Sequence, residues 1–258
     1  RDKAVFLNKR MKELRLSGLF SYVEPNYYKE FYLEPNDSAY TDGDLWGLWN
    51  IGQMNGKDDG DIDAREAWDL TTGNKEIIVS VIDSGVRVTH QDLAAQMWIN
   101  EDEIPGNGVD DDNDGYVDNI NGIDAYWGDG DPEDDIGHGT HVAGTIGAAA
   151  NDGNPHVGVA WNVRLLACKV GSFFMSTDAV IDSIEFSLDN GASVANCSFG
   201  GMSFSQAEFD AFAAGGQGGI MFACAAGNYS INNDAMPFYP CSFDLECIIS
   251  VAATNNKD

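Results

Sequence analysis

The chain has 258 residues, 43% of them hydrophobic, and a formal net charge of −28 from 42 acids against 14 bases. That length suits one large α/β domain with a small appendage. The negative excess repels nucleic acid and anionic membranes, and no run of about 18 apolar residues is present to span a bilayer.

Charge is unevenly spread along the chain. Residues 1–28 carry six bases and three acids, so this segment is positive and the remainder is strongly negative. The shift marks a first boundary. Within it, Phe6, Leu7, Met11 and Leu14 predict an amphipathic helix, and Leu19 to Val23 predict a short strand that Pro25 ends. Residues 29–60 read as an arm, with P-N-D-S-A-Y at 35–40 and W-G-L-W-N-I-G-Q at 46–53.

From residue 77 the pattern alternates. Apolar, β-branched-rich runs at 77–82, 163–170, 193–199, 220–226 and 248–254 predict buried strands. Helical patterns lie between them at 138–150, 176–190 and 204–216. Ser205 and Glu208 form a capping box for the last, and Asn190-Gly191 ends the second. Such alternation predicts a parallel sheet covered on both faces, whose ligands bind beyond the carboxyl ends of the strands.

Three strings place chemistry at those ends. V-S-V-I-D-S-G-V (79–86) is a buried-strand pattern ending on Asp83. I-G-H-G-T-H-V-A-G-T (136–145) opens an apolar helix with His138 between two glycines. F-A-C-A-A-G-N (222–228) ends on Asn228. A carboxylate, an imidazole and a side-chain amide suit, in turn, an orienting group, a general base and an oxyanion donor. His141, three residues on, reads as a deeper structural histidine. Zinc binding by His138 and His141 is rejected, because the pair lacks both the intervening Glu and the i,i+4 spacing.

Residues 101–135 hold 14 acids and no Lys or Arg. Within them, D-D-D-N-D-G-Y-V-D-N (110–119) sets Asp110, Asp112 and Asp114 at alternating positions before Gly115. Tyr116 can add its carbonyl and Asp118 a further carboxylate. This is oxygen-rich Ca²⁺-loop logic, though Asn121 stands where an EF-hand has Glu. Cys168, Cys197 and Cys224 lie in apolar runs and read as buried free thiols. Cys241 and Cys247 flank a polar loop and would close it as a bridge in a secreted protein.

The order Asp83, His138, Asn228 in these contexts resembles the subtilisin-like serine proteases, over nearly the whole chain. The resemblance implies an α/β, three-layer, mostly parallel fold and acyl transfer through an Asp-His-Ser triad. N-C-S-F-G-G (196–201) resembles the family's substrate strand, so Ser198, Phe199 and Gly200 would pair with an extended peptide. Ala225, Ala226 and Gly227 would form the opposite wall. Gly200 and Gly201 leave room for a pocket, with apolar or aromatic side chains expected in it. Asp92 and the loop from Asn151 to Val157 resemble a second calcium site.

The resemblance further implies that residues 1–28 end an inhibitory propeptide, that 29–60 are the mature N-terminal arm, and that 61–258 are a catalytic domain lacking its C-terminal part. The family's G-T-S-M-A serine segment has no counterpart before Asp258. The nucleophile is therefore expected outside the chain, and residues 1–258 alone are expected to be inactive. The expected whole is a secreted, calcium-stabilised zymogen acting on polypeptides, with its own propeptide as partner and neither nucleic-acid binding nor membrane insertion. The rival is a calcium-dependent binding module on a degenerate protease fold, against which the intact Asp83, His138 and Asn228 argue.

Overall fold

The computed structural model describes residues 2–25 and 34–257. The chain divides into two compact units, Arg1–Leu33 and Glu34–Asp258.

In the first unit, the predicted helix forms as α1 (Asp2–Leu16). The Arg15 guanidinium donates to the Val23 carbonyl at 3.0 and 2.8 Å, which folds the following segment back on the helix end. The strand expected from Leu19 to Val23 is absent; the segment is irregular. A strand needs a partner for its backbone groups, and here a side chain takes the carbonyl instead. The predicted boundary at residue 28 falls outside the described residues.

The second unit begins with two short helices, α2 (Ser38–Thr41) and α3 (Ala64–Trp68). Tyr40, Leu48, Trp68 and Val157 bury one another in a small cluster. A six-stranded parallel sheet follows, in the order β2-β3-β1-β4-β5-β6. Its strands are β1 (Ile78–Asp83), β2 (Gly122–Asp124), β3 (Arg164–Lys169), β4 (Val194–Cys197), β5 (Met221–Ala225) and β6 (Ile248–Val251). Five of them match the predicted apolar runs in position, but β6, expected to be buried, is largely exposed. The sixth, β2, is three residues long and has no periodicity to betray it.

Strand period 2 splits the core between the two faces. Ile78, Ile82, Leu166, Cys168, Ala195, Cys197, Phe222 and Cys224 pack with α5 (Thr177–Asp189) and α6 (Gln206–Gln217). Val79, Val81, Leu165 and Ala167 pack on the other side with Ala143 of α4 (His138–Gly147). The architecture is therefore three layers, helix on sheet on helix, with all six residues of β1 buried. Glu208 N–H donates to Ser205 Oγ at 3.2 Å, so the N-cap half of the predicted capping box is formed.

Cys241 and Cys247 are free thiols with different partners: Cys241 donates to the Phe238 carbonyl and Cys247 to that of Phe212. The bridge expected between them is not formed. Cys168, Cys197 and Cys224 are buried free thiols, as expected. Burial, with Cys224 alongside, pushes the Cys197 thiol well up, and burial raises Cys168 to about 11, so neither is a thiolate nucleophile.

Candidate active site

β1 and β4 pair through Ile82 and Cys197, and β4 and β5 through Cys197 and Cys224. The next residues, Asp83, Ser198 and Ala225, therefore lie side by side at the carboxyl edge of the sheet, with Asp83 still paired to Lys169 and Ala225 to Val251. Neighbouring strands lie about 4.8 Å apart, so this edge brings three chain segments within about 10 Å.

Asp83 is 3% exposed, and its Oδ1 lies 2.6 Å from His138 Nδ1. The same oxygen accepts the Ser84 amide at 2.7 Å. The His138 side chain is 53% exposed, and its other ring nitrogen has no hydrogen-bond partner among the described residues. The carboxylate thus holds one nitrogen of a half-exposed imidazole.

The glycines around His138 have distinct physical reasons. Gly137 has φ +84°, in the left-handed region that favours glycine. A Cβ on Gly139 would lie 2.1 Å from the Gly85 carbonyl oxygen and 3.0 Å from Asp83 Cβ. Only glycine there lets the first turn of α4 rest on the end of β1.

Asp134, which the sequence reading passed over, organises this corner. It accepts hydrogen bonds from Ser84 Oγ at 2.9 Å, the Gly137 amide at 2.9 Å, and the Thr140 amide and hydroxyl at 2.9 and 2.7 Å. Ser84 Oγ in turn accepts the Gly139 amide at 2.9 Å. Asp134 therefore caps α4 from outside and ties the His138 turn to the residue after Asp83. Burial raises its carboxyl, but the bonds from Thr140, Ile136 and Gly137 outweigh that and hold it below the ordinary aspartate value. The available signal was an acid placed just before an uncapped helix start.

Lys169, level with Asp83 on β3, is buried and bridges Asp124 at 3.1 Å and Asp135 at 2.9 Å. His141, expected to lie deeper than His138, is exposed; it lines a cavity of about 490 Å³ with His90, Asp92 and His156. On the far side of the edge, Asn228 is exposed after a turn in which Gly227 has φ +92°. Ser198, Phe199 and Gly200 extend β4 beyond its last paired residue, with Phe199 buried at 9% exposure. Ala226 donates its amide to the Val251 carbonyl at 2.9 Å, and Ala226 and Gly227 line a separate cavity with Asn228.

In the acidic loop, Glu103, Asp110 and Asp112 bring ligand oxygens within 4.8 Å of one another. Glu103 is buried, came from outside the expected set, and accepts the Asp111 amide at 2.6 Å and the Asp118 amide at 3.0 Å. Asp114 receives the Tyr116 amide at 2.9 Å and Asn119 Nδ2 at 2.7 Å; burial still raises its carboxyl, and Asp112 and Asp110 raise it further. Asp118 turns away, both its oxygens accepting amides of Asn107 and Gly108 at 3.1 and 3.0 Å.

At the second expected cation position, Asp92 is 4% exposed and its Oδ1 is buried without a hydrogen-bond partner. Burial raises its carboxyl. The Asn151 amide donates to both oxygens of Asp37 at 3.1 and 3.0 Å, and Asn151 Oδ1 accepts the Asn36 amide at 2.9 Å. Asp37 joins this loop from a segment in which no ligand was expected.

Residues 74–258 match the subtilase family. The chain is 32% identical over 252 residues to the thermophilic serine proteinase of Bacillus sp. (strain AK1), covering 96% of this chain and 53% of that protein. It is 29% identical over 278 residues to fervidolysin of Fervidobacterium pennivorans, covering 95% of this chain and 34% of the relative. The chain thus spans about half or less of the length of these relatives. Among solved structures, one described as the S41 psychrophilic protease superposes with a TM-score of 0.57 at 24% identity, over 85% of this chain and 62% of that one, a likeness of fold.

Proposed function

The chain belongs to the subtilase family, and from that premise we propose that it is part of a secreted serine endopeptidase that cleaves polypeptides by acyl transfer. The observation that carries this reading is the 2.6 Å bond between Asp83 Oδ1 and His138 Nδ1, with the opposite ring nitrogen open. Asp83 fixes the imidazole's tautomer and stabilises its charge. His138 takes the proton of a serine supplied from outside residues 1–258 and later returns it to the leaving amine. Asn228 offers its side-chain amide to the oxyanion. Ser198, Phe199 and Gly200 pair with the substrate backbone, and Ala226 and Gly227 face them.

Two cation positions accompany this reading. The converging oxygens of Glu103, Asp110 and Asp112, with Asp114 beside them, fit a hard cation such as Ca²⁺. The buried unpartnered oxygen of Asp92, with the carboxylates of Asp37 and Asp152 acting on it, fits a second, to which Asn151 is expected to contribute. Bound at the first position, Ca²⁺ would supply the charge neutralisation that residues 101–135, free of Lys and Arg, lack. The positively charged residues 1–28 are the end of a propeptide removed at maturation, a role that N-terminal sequencing of the mature protein checks.

The decisive experiment uses the full-length gene product and a fluorophosphonate probe. One serine outside residues 1–258 is expected to label, and His138→Ala is expected to abolish labelling while circular dichroism stays native. A native-like parent that neither labels nor cleaves peptides supports the binding-module alternative instead.

A further inference from the structure

The pocket expected beside Gly200 is already occupied. A Cβ on Gly200 would lie 2.3 Å from Phe238 Cε1 and 2.9 Å from its Cδ1. On the opposite wall, a Cβ on Gly227 would lie 3.4 Å from the same Cε1 and 3.5 Å from Cδ1. One edge of one aromatic ring therefore touches both segments between which a substrate side chain would enter. The absence of a side chain at Gly200 accommodates the Phe238 ring, not a guest.

The ring is held firmly. Phe238 is 7% exposed and belongs to the main core. Its amide donates to Ser242 Oγ at 3.0 Å, and its carbonyl accepts from the Ser242 amide and from Cys241 Sγ, each at 2.9 Å. The next residue, Tyr239, exchanges two backbone hydrogen bonds with Gly201 at 2.7 and 2.8 Å. That bridge locks the segment carrying the ring against the end of the substrate strand. Tyr229 lies edge-on to the ring, centroids 6.2 Å apart. These bonds fix the backbone that carries the ring, and the ring itself is buried in the core, so a bulky guest must overpack a filled site.

We propose that Phe238 is a specificity-determining residue that blocks the subsite between Ser198–Gly200 and Ala226–Gly227. The substrate class is then polypeptides carrying a small residue (Gly, Ala or Ser) immediately before the scissile bond. This inference rests on the protease reading above and narrows it. It replaces the expected taste for apolar or aromatic side chains with its opposite.

The test is a set of peptides differing only in the residue before the scissile bond (Gly, Ala, Leu or Phe), assayed with the full-length protein. Cleavage after Ala is expected to exceed cleavage after Phe by about 10–100-fold in kcat/KM, the range that pocket sterics typically provide. Phe238→Ala should raise kcat/KM after Leu and Phe, relative to that after Ala, by about 10-fold or more. Phe238→Leu, which keeps a core side chain, should shift the profile in the same direction by less, and serves if Phe238→Ala does not fold. A parent that cleaves after Phe or Leu as fast as after Ala overturns the inference and leaves the protease reading standing. So does a folded Phe238 variant with the parent's profile. A parent that cleaves none of the peptides and labels with no probe overturns the protease reading, and the inference with it.

Discussion

Two acid-rich regions of this protein settle their charge in different ways. In the corner around His138, carboxylates are answered by side chains: Asp83 by His138, Asp124 and Asp135 by Lys169, Asp134 by the Thr140 and Ser84 hydroxyls. In the loop 101–119, which has no Lys or Arg, carboxylates accept from backbone amides and from Asn100, Asn107 and Asn119. Amide dipoles orient an acid but do not cancel its charge. The first region sets an imidazole and a lysine beside its acids, whereas the second has only neutral donors and, on the reading proposed above, would take a cation.

The largest effect should come from the compensated corner. In the full-length protein, Asp83→Asn is expected to lower kcat by about 10⁴-fold, the loss seen when a triad carboxylate becomes an amide. Stopped assays of peptide hydrolysis would measure it. A fall of less than tenfold would separate the Asp83–His138 bond from catalysis.

Next comes Lys169→Met, which leaves Asp124 buried without its cation. Breaking a buried pair from one side costs about 3–5 kcal/mol, readable in chemical denaturation with calcium present. A loss below about 1 kcal/mol would mean that Asp124 is held by its backbone amides alone, as the acids of the loop are.

Calcium should act selectively on the other region. At a hundredfold excess over Kd, a cation bound only by the folded state adds about 2.7 kcal/mol. The thermal midpoint should fall with chelator. Asp110→Asn combined with Asp112→Asn should shrink that fall, whereas Lys169→Met should leave it intact. A double variant with the parent's full response would move the stabilising ion to the Asp92 site.

The smallest effect concerns Asp134. Replacing it with Asn should cost about 1–2 kcal/mol at neutral pH, the range for a lost helix cap. Its carboxyl titrates below the ordinary value when folded, so on acidification the unfolded chain binds the proton first. The stabilisation is complete above about pH 5, beyond the unfolded aspartate range, and disappears as pH falls through the depressed folded value. The gap in thermal midpoint between parent and Asp134→Asn should therefore close at low pH. A gap independent of pH would assign the effect to packing.

The sequence by itself determined the layers and the strings that carry the chemistry. Parallel strands buried on both faces are written as continuous apolar runs, and Gly137 before His138 meets a local backbone demand. Short elements without a pattern escaped: β2 exists only because β3 offers it a ladder, and the strand expected at Leu19–Val23 fails because the described chain offers it none. Tertiary structure alone decided which residues meet across long separations. Asp134 meets Ser84 across 50 residues. Glu103 joins the acidic loop from a preceding turn, and Phe238 comes to rest against Gly200 and Gly227. Sequence periodicity records which face a residue occupies, but not which distant side chain fills the space beside it. A glycine that looked like room for a substrate is for that reason room for the protein's own phenylalanine.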